Sequence, residues 1–502
     1  MNANTRLRLW KETRALLPFW AAMAGLIGIP ALFRVQEGVA MSVSAYVFGC
    51  ALLGSVIIGQ EFQHRTMGLL LSQPVSRRRI WWEKMFVLGA ALLSLGLWLI
   101  LLGALKWHLS PFRFGSDDAQ FAATAFFLLP LFLGFCTAPT LTLLSRGTIG
   151  GIALTFMCPW VVFLFCLWIL PEEFSSARRW TANTTVFLAT YGIYAGGLFL
   201  LGNRRFQRLE DIHGHGQELS LPTALMRPFA RFTERLTLNH GGVLGQLVRK
   251  EVRLHLPAFV VAGMLVGLWL LLLLVVVTRP SVSKNFLMLP AVLLGLGIPV
   301  IAGIVSTAEE RSLGLLDWHL TLPVSARRQW FIKVLVALGV NVGLGILLPG
   351  VLAQAAGGLL NGQPLELGVH NGEQHFLIAN AVLFCGALYA STVSANSMRA
   401  LVGAIVLFLA GAMILNFADY VRRLYPEYST GPSSRHLLGD PGLLWPFDKY
   451  RWLIGWSSLA VWLYFLGLAG FRRSLESFWL PVRRMAVFFA VVCAFVFAAI
   501  VW

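Results

Sequence analysis

Few side chains in this 502-residue sequence could do chemistry, since only 13% are charged. Glu309-Glu310-Arg311 is a paired-carboxylate run at the end of an apolar stretch, the kind of pair that could activate water. Its surroundings argue against hydrolysis. No His pair falls at helical spacing on a later apolar stretch to complete such a site. His213-Gly214-His215 offers two imidazoles in a polar segment with no Cys or third His beside them, which is short of a zinc ligand set. No GxxxxGK[ST] run occurs, so this chain cannot build a phosphate-cradling loop for ATP. Cys50, Cys136, Cys158, Cys166, Cys385 and Cys493 each lie in apolar stretches without CxxC spacing, and read as small buried hydrophobes. What remains are charged residues that recur in two places, among them Glu61 with Lys84 and Glu310 with Lys333.

The elements carrying these residues belong in a membrane. Hydrophobic residues make up 57% of the chain and mean hydropathy is +0.72, whereas soluble proteins are about 45–50% apolar and about 25% charged. A spanning helix needs about 20 apolar residues. Candidates lie near 17–33, 40–60, 85–105, 120–144, 148–170, 184–202, 257–278, 286–307, 332–358, 376–397, 400–418, 452–470 and 485–502. With the N-terminus inside, 28 of the 40 Lys and Arg fall on the inner side and 12 on the outer, while the acidic residues divide almost evenly. The positive-inside rule therefore explains the net charge of +17 without any nucleic acid partner. Residues 5–17 form an amphipathic helix leading into the first span, with Leu9, Trp10, Thr13, Leu16 and Leu17 on one face.

Two segments repeat. KETRALLP (Lys11 to Pro18) recurs as KEVRLHLP (Lys250 to Pro257) at an offset of 239. The stretch from Glu61 to Lys84 aligns without gaps to that from Glu310 to Lys333 at an offset of 249, with nine of twenty-four positions identical. Each copy of the longer segment falls between the second and third spans of its half, so both halves run the same way through the membrane. The fold expected is an all-α polytopic membrane protein made of two tandem parallel six-helix repeats plus an extra C-terminal span, 12–13 spans in all. Its parts are a first half at 1–203, a basic cytoplasmic linker at 204–243, a second half at 244–471 and the extra span at 472–502.

The longer repeat opens with an acid (Glu61, Glu310) and continues with a leucine-rich piece, Leu69, Leu70 and Leu71 or Leu315, Leu316 and Leu320. It breaks at Pro74-Val75-Ser76 or Pro323-Val324-Ser325. Ser76 or Ser325 can cap the next helix, which begins with Arg78-Arg79 or Arg327-Arg328. Each half thus presents a short, stiff cytoplasmic element joined to two spans, and a force applied there tilts both.

This pattern resembles the loop of ABC type-2 exporter permeases, with its Glu, small amphipathic helix, Leu-rich run, Pro-Val-Ser-Arg and downstream Lys. In that family an amphipathic N-terminal helix precedes the first span, and the loop between spans two and three is the coupling helix that docks on an ATP-binding subunit. The resemblance implies a transport subunit, not an enzyme, with two fused six-span halves. It implies two copies of an ABC ATP-binding subunit in trans, with ATP and Mg bound there and no cofactor on this chain. It implies docking through Glu61, Leu69 to Leu71, Pro74, Ser76, Arg78, Arg79, Glu310, Leu315, Leu316, Pro323, Ser325, Arg327 and Arg328. The second copy departs at Ala326, where the first has Arg77. Location in a bacterial inner membrane and outward transport follow from the same resemblance.

Two other readings fit the topology. An ion-coupled secondary transporter also has two parallel six-span halves, but the spans here carry essentially no midplane charge for coupling. A non-transporting membrane anchor of an ATPase complex is the other. Asn341, Asn380 and Asn396 either line a substrate path or bond neighbouring helices. The apolar spans mildly favour a hydrophobic or amphipathic cargo.

Overall fold

The structure is a computed structural model that describes residues 3–32, 36–64, 66–107, 127–169, 177–209, 243–279, 284–312, 324–360, 372–394 and 396–408, with 460, 461, 463–468 and 471. Every regular element among the described residues is helical, as lipid demands of a chain that must satisfy its backbone polar groups internally. Among the described residues, nine helices are long and apolar enough to cross a membrane. The expected span at 17–33 is not among the nine. It continues the amphipathic segment as one helix, α1 (Ala3–Leu32). Most of 400–418 and 452–470, and all of 485–502, lie outside the described residues, and so does most of the 204–243 linker.

The chain divides into two compact units, 1–236 with 259–291 and 237–258 with 292–502. In the first unit α1 is followed by α2 (Gln36–Gln63), the short loop helix α3 (Met67–Leu71) and α4 (Arg77–Trp107). Then come α5 (Phe127–Ser145), α6 (Thr148–Ile169) and α7 (Ala177–Gln207). α2 is the hub and touches α1, α4, α5 and α6. Its apolar window is 78% buried, against 17% for α7 at the rim. Small residues make this possible. A Cβ on Gly54 of α2 would sit 2.1 Å from the Gly134 carbonyl oxygen, and one on Gly134 would sit 2.5 Å from the Cys50 oxygen. The backbones of α2 and α5 thus touch, at a π-helical turn in α5 (Leu133–Thr137). α5 and α6 are separated by a tight break at Arg146, whose φ of 51° is left-handed.

The remaining helices are α8 (Val243–Leu254), α9 (Leu256–Thr278), α10 (Met288–Ser312), α11 (Ala326–Gly358), α12 (Gly372–Val393) and the shorter α13 (Ser397–Phe408). Here the amphipathic helix and the following span are interrupted at His255, unlike the continuous α1. α11 carries its own π-helical segment at Asn341–Leu347. α10 packs on α12 at Gly303, where a Cβ would lie 2.8 Å from the Leu388 nitrogen. Gly303 is Gly54 displaced by 249, the offset of the longer repeat. The five described cysteines are free.

Candidate functional site

The two repeated segments, far apart in sequence, meet in space, and they do so in both units. In the first, the Lys84 ammonium on α4 donates to Glu12 Oε2 on α1 at 2.8 Å, to Glu61 Oε1 on α2 at 3.1 Å and to the Ile57 carbonyl at 3.3 Å. Lys11 stands 3.5 Å from Glu61. In the second, Lys333 on α11 donates to Glu251 on α8 at 2.7 Å and to the Ser306 carbonyl on α10 at 3.3 Å. It also pairs with Glu310 on α10 at 2.6 Å. Lys250 lies 3.2 Å from Glu251 and bonds Glu310. The correspondence is complete: Lys11 with Lys250, Glu12 with Glu251, Ile57 with Ser306, Glu61 with Glu310, Lys84 with Lys333.

Each cluster clamps the amphipathic helix, the span entering the loop and the span leaving it. Lys84 and Lys333 are 2% exposed, Glu61 5% and Glu310 0%. A buried lysine is tolerable only when its charge is compensated at this range, so each lysine fixes the position of two carboxylates from two different helices. The charges balance within each cluster, two lysines against two glutamates.

A second shared feature lies beside the clamp. Trp81 and Trp330, three residues before the clamp lysines, are almost fully buried. The Trp81 ring stands 6.0 Å from Phe199 and 5.4 Å from Phe206, and a Cβ on Gly202 would meet its edge at 3.3 Å. The Trp330 ring stands 6.5 Å from Tyr464 and 5.3 Å from Phe471, and a Cβ on Gly467 would meet it at 3.2 Å. These six partners form an aromatic-x2-Gly-x3-Phe pattern at 199–206 and 464–471, with an offset of 265. The trace of this socket in the sequence is that eight-residue pattern, which lies far from either tryptophan along the chain.

The first loop carries additional ties. Arg8 of α1 binds Glu83 of α4 bidentately, at 2.8 and 2.9 Å. Arg79 reaches Glu83 at 3.1 Å and Thr5 at 2.8 Å, and Arg77 donates to the Gln207 carbonyl at the end of α7 at 2.9 Å. The Thr66 hydroxyl donates to Glu61. At the corresponding positions the second copy has Leu247 for Arg8, Ile332 for Glu83, Leu244 for Thr5, Ala326 for Arg77 and Leu315 for Thr66. None of those side chains can make the polar tie.

The remaining expected site residues fall into three groups. Leu69 is 70% exposed on α3 while Leu70 is buried and Leu71 half-buried. Pro74, Ser76, Arg78, Arg79, Ser325, Arg327 and Arg328 are exposed. Glu61 and Glu310 lie under the surface, in the clamps. Leu315, Leu316 and Pro323 lie outside the described residues. Ser325 occupies the N-cap position of α11, but its hydroxyl makes no cap hydrogen bond; it faces solvent, where water competes for it, and its carbonyl accepts from Gln329 N–H instead.

The three asparagines are bonded to the protein itself. Asn341 Nδ2 donates to Asn380 Oδ1 at 2.8 Å, and Asn380 Nδ2 donates to the Gly295 carbonyl at 2.8 Å. This joins α11, α12 and α10 across the π-helical segment. Asn396 Oδ1 accepts from Arg399 N–H at the start of α13. His255, at the break between α8 and α9, is fully buried, with Nδ1 2.8 Å from the Glu251 carbonyl and Nε2 3.2 Å from the Ala302 carbonyl. Burial pushes its pKa below the usual imidazole range; the Glu251 carbonyl and carboxylate oppose that shift, and Lys333 adds to it. Among the described residues no group of three His, Cys, Asp or Glu stands close enough to hold a metal.

Residues 15–162 match the family model described as ABC-2 family transporter protein. That stretch runs from α1 into α6 and includes the first loop and Lys84. Comparison with curated proteins and with solved structures gave no match.

Proposed function

We propose that this chain, whose 15–162 segment is similar to ABC-2 family transporter membrane proteins, is a fused two-half permease of an ATP-driven exporter. Two ATP-binding subunits dock beneath it, one on each loop between the second and third spans of a half. The observation that carries this reading is the pair of matching lysine–glutamate clamps. A loop that receives force from a soluble motor must be stiffly joined to the helices it moves. Each clamp joins one loop's entry helix, exit helix and amphipathic helix through a single buried ammonium.

The docking surface of the first loop is the exposed ridge of Leu69, Pro74 and Ser76. The Leu69 side chain is the apolar anchor for the partner's cleft, and its truncation would cost about 2 kcal/mol of docking, the scale of a central anchor. Glu61 and Glu310 act one layer below, holding the loop in place rather than meeting the partner. Closure of the ATP-binding subunits would press on the loops and tilt the flanking spans together. The cargo would be hydrophobic or amphipathic and would leave outward.

The test is the native mass of the purified protein together with its ATP-binding subunit. One permease with two ATP-binding subunits supports the proposal, and L69D should reduce the number bound. A wild-type chain that holds no ATP-binding subunit sinks it.

A further inference from the structure

The exit helices of the two loops share an exposed face headed by arginines, Arg78 on one and Arg327 and Arg328 on the other, that the resemblance also offers for docking. On α11, Arg327, Arg328, Phe331, Leu335, Leu338 and Val342 fall within one arc of about 100° at helical spacing, and every one of them is exposed. Phe331 is 60% exposed, one turn below Arg327. α11 is one of the helices fit to span a membrane, so its exposed apolar stripe is a lipid-facing stripe, and the two arginines stand at its cytoplasmic head. On α4 the corresponding arc is Arg78, Trp82, Phe86 and Leu93, also exposed.

The heads of the two arcs differ. In the first unit Arg79 is drawn off by Glu83 and Thr5, leaving Arg78 alone. In the second, Ile332 and Leu244 have replaced those acceptors, and both Arg327 and Arg328 stay exposed without an ion pair among the described residues. Two guanidiniums above an aromatic ring at the membrane surface suit a phosphate with acyl chains beneath it. Arginine binds phosphate oxygens in a fork, aromatic rings sit at headgroup level, and the stripe below continues into the acyl region.

We infer that Arg327 and Arg328, over Phe331, form a binding site for an anionic phospholipid on the second unit, with a weaker single-arginine counterpart at Arg78 on the first. A protein's acidic patch is disfavoured as occupant because the face runs without a break into the lipid-facing stripe.

The experiment is native mass spectrometry of the full chain in detergent, titrated with phosphatidylglycerol or with phosphatidylcholine of the same acyl chains. Wild type should retain phosphatidylglycerol selectively. R327Q/R328Q should weaken retention by about 30-fold, and R78Q by about fivefold, on the scale of about fivefold per juxtamembrane basic residue. R327K/R328K should keep most of the binding, and melting curves of all variants separate a lost site from a lost fold. Equal retention by R327Q/R328Q and wild type overturns the inference. So does equal retention of the two lipids, or competition by millimolar inorganic phosphate in place of lipid. If R327Q/R328Q keeps the lipid but sheds an ATP-binding subunit that wild type holds, the arginines serve the protein partner and the inference falls while the exporter reading stands.

Discussion

Replacing Lys84 by Met tests whether the clamp holds the helices together. Methionine has nearly the length of lysine, so the packing change alone should stay under about 1.5 kcal/mol. What it removes is the charge that Glu12 meets at 2.8 Å and Glu61 at 3.1 Å. Two mostly buried carboxylates are then left with the Thr66 hydroxyl on Glu61 and, as counter-charge, Lys11, 3.5 Å from Glu61 with its side chain 60% exposed. Breaking a buried pair from one side costs about 3–5 kcal/mol, and so weak a substitute puts Lys84→Met at the upper end. Lys333→Met should cost less, because Lys250 is more buried and stands against both Glu251 and Glu310. The companion variant is Lys84→Met with Glu12→Gln and Glu61→Gln, which removes the stranded charges and should recover more than half of the loss. The assay is thermal unfolding of the detergent-solubilised protein followed by tryptophan fluorescence, with the variants compared as a cycle. An unchanged melting temperature for Lys84→Met, or a triple variant less stable than the single one, would refute the clamp.

Three further outcomes follow from the same geometry. Trp81→Ala and Trp330→Ala should each cost about 3–5 kcal/mol, since each empties a buried site bounded by two rings and a glycine backbone; a loss below 1 kcal/mol on the order-of-magnitude scale of a surface change would remove the aromatic socket from the account. Gly54→Ala should prevent the close approach of α2 to α5, because its Cβ would lie 2.1 Å from a backbone oxygen, and the expected readout is loss of the monodisperse peak in size-exclusion chromatography. His255 contributes a pH dependence whose sign is fixed. Its pKa is lower folded than unfolded, so below about pH 6.5 the unfolded chain takes up a proton that the folded chain does not. Stability should therefore fall as the pH drops from about 6.5 towards the folded pKa, and this slope should be missing in His255→Leu, which installs the residue found at the corresponding Leu16; an unaltered slope in that variant would assign it to other groups.

Composition and spacing alone determined much of this protein. A chain 57% hydrophobic and 13% charged has too little polar surface for a soluble fold of its size, and that imposes helices in lipid before any coordinate is known. The two recurring segments were legible as well, because identity at a constant offset needs no structure to be seen. So was the helix start at the paired arginines, since a proline and a serine precede it.

Tertiary structure decided what those residues do. In the sequence, Glu12 and Glu61 belong to different motifs with different offsets, and Glu61 reads as a contact residue on a loop. Only the packing of α1 and α4 around α2 brings Glu12, Glu61 and Lys84 to one buried point, and burial is what turns Glu61 from a surface group into half of a clamp. Asn341 and Asn380, 39 positions apart, are brought together only by the packing of their helices, where the Asn341 amide N–H donates to the Asn380 oxygen. The first loop's ties through Arg8, Arg77 and Arg79, and their loss at Leu247, Ala326 and Ile332, also appear only in space. Spacing along a helix says which face a residue shares, but only the neighbouring helix says whether that face meets lipid, water or an opposite charge.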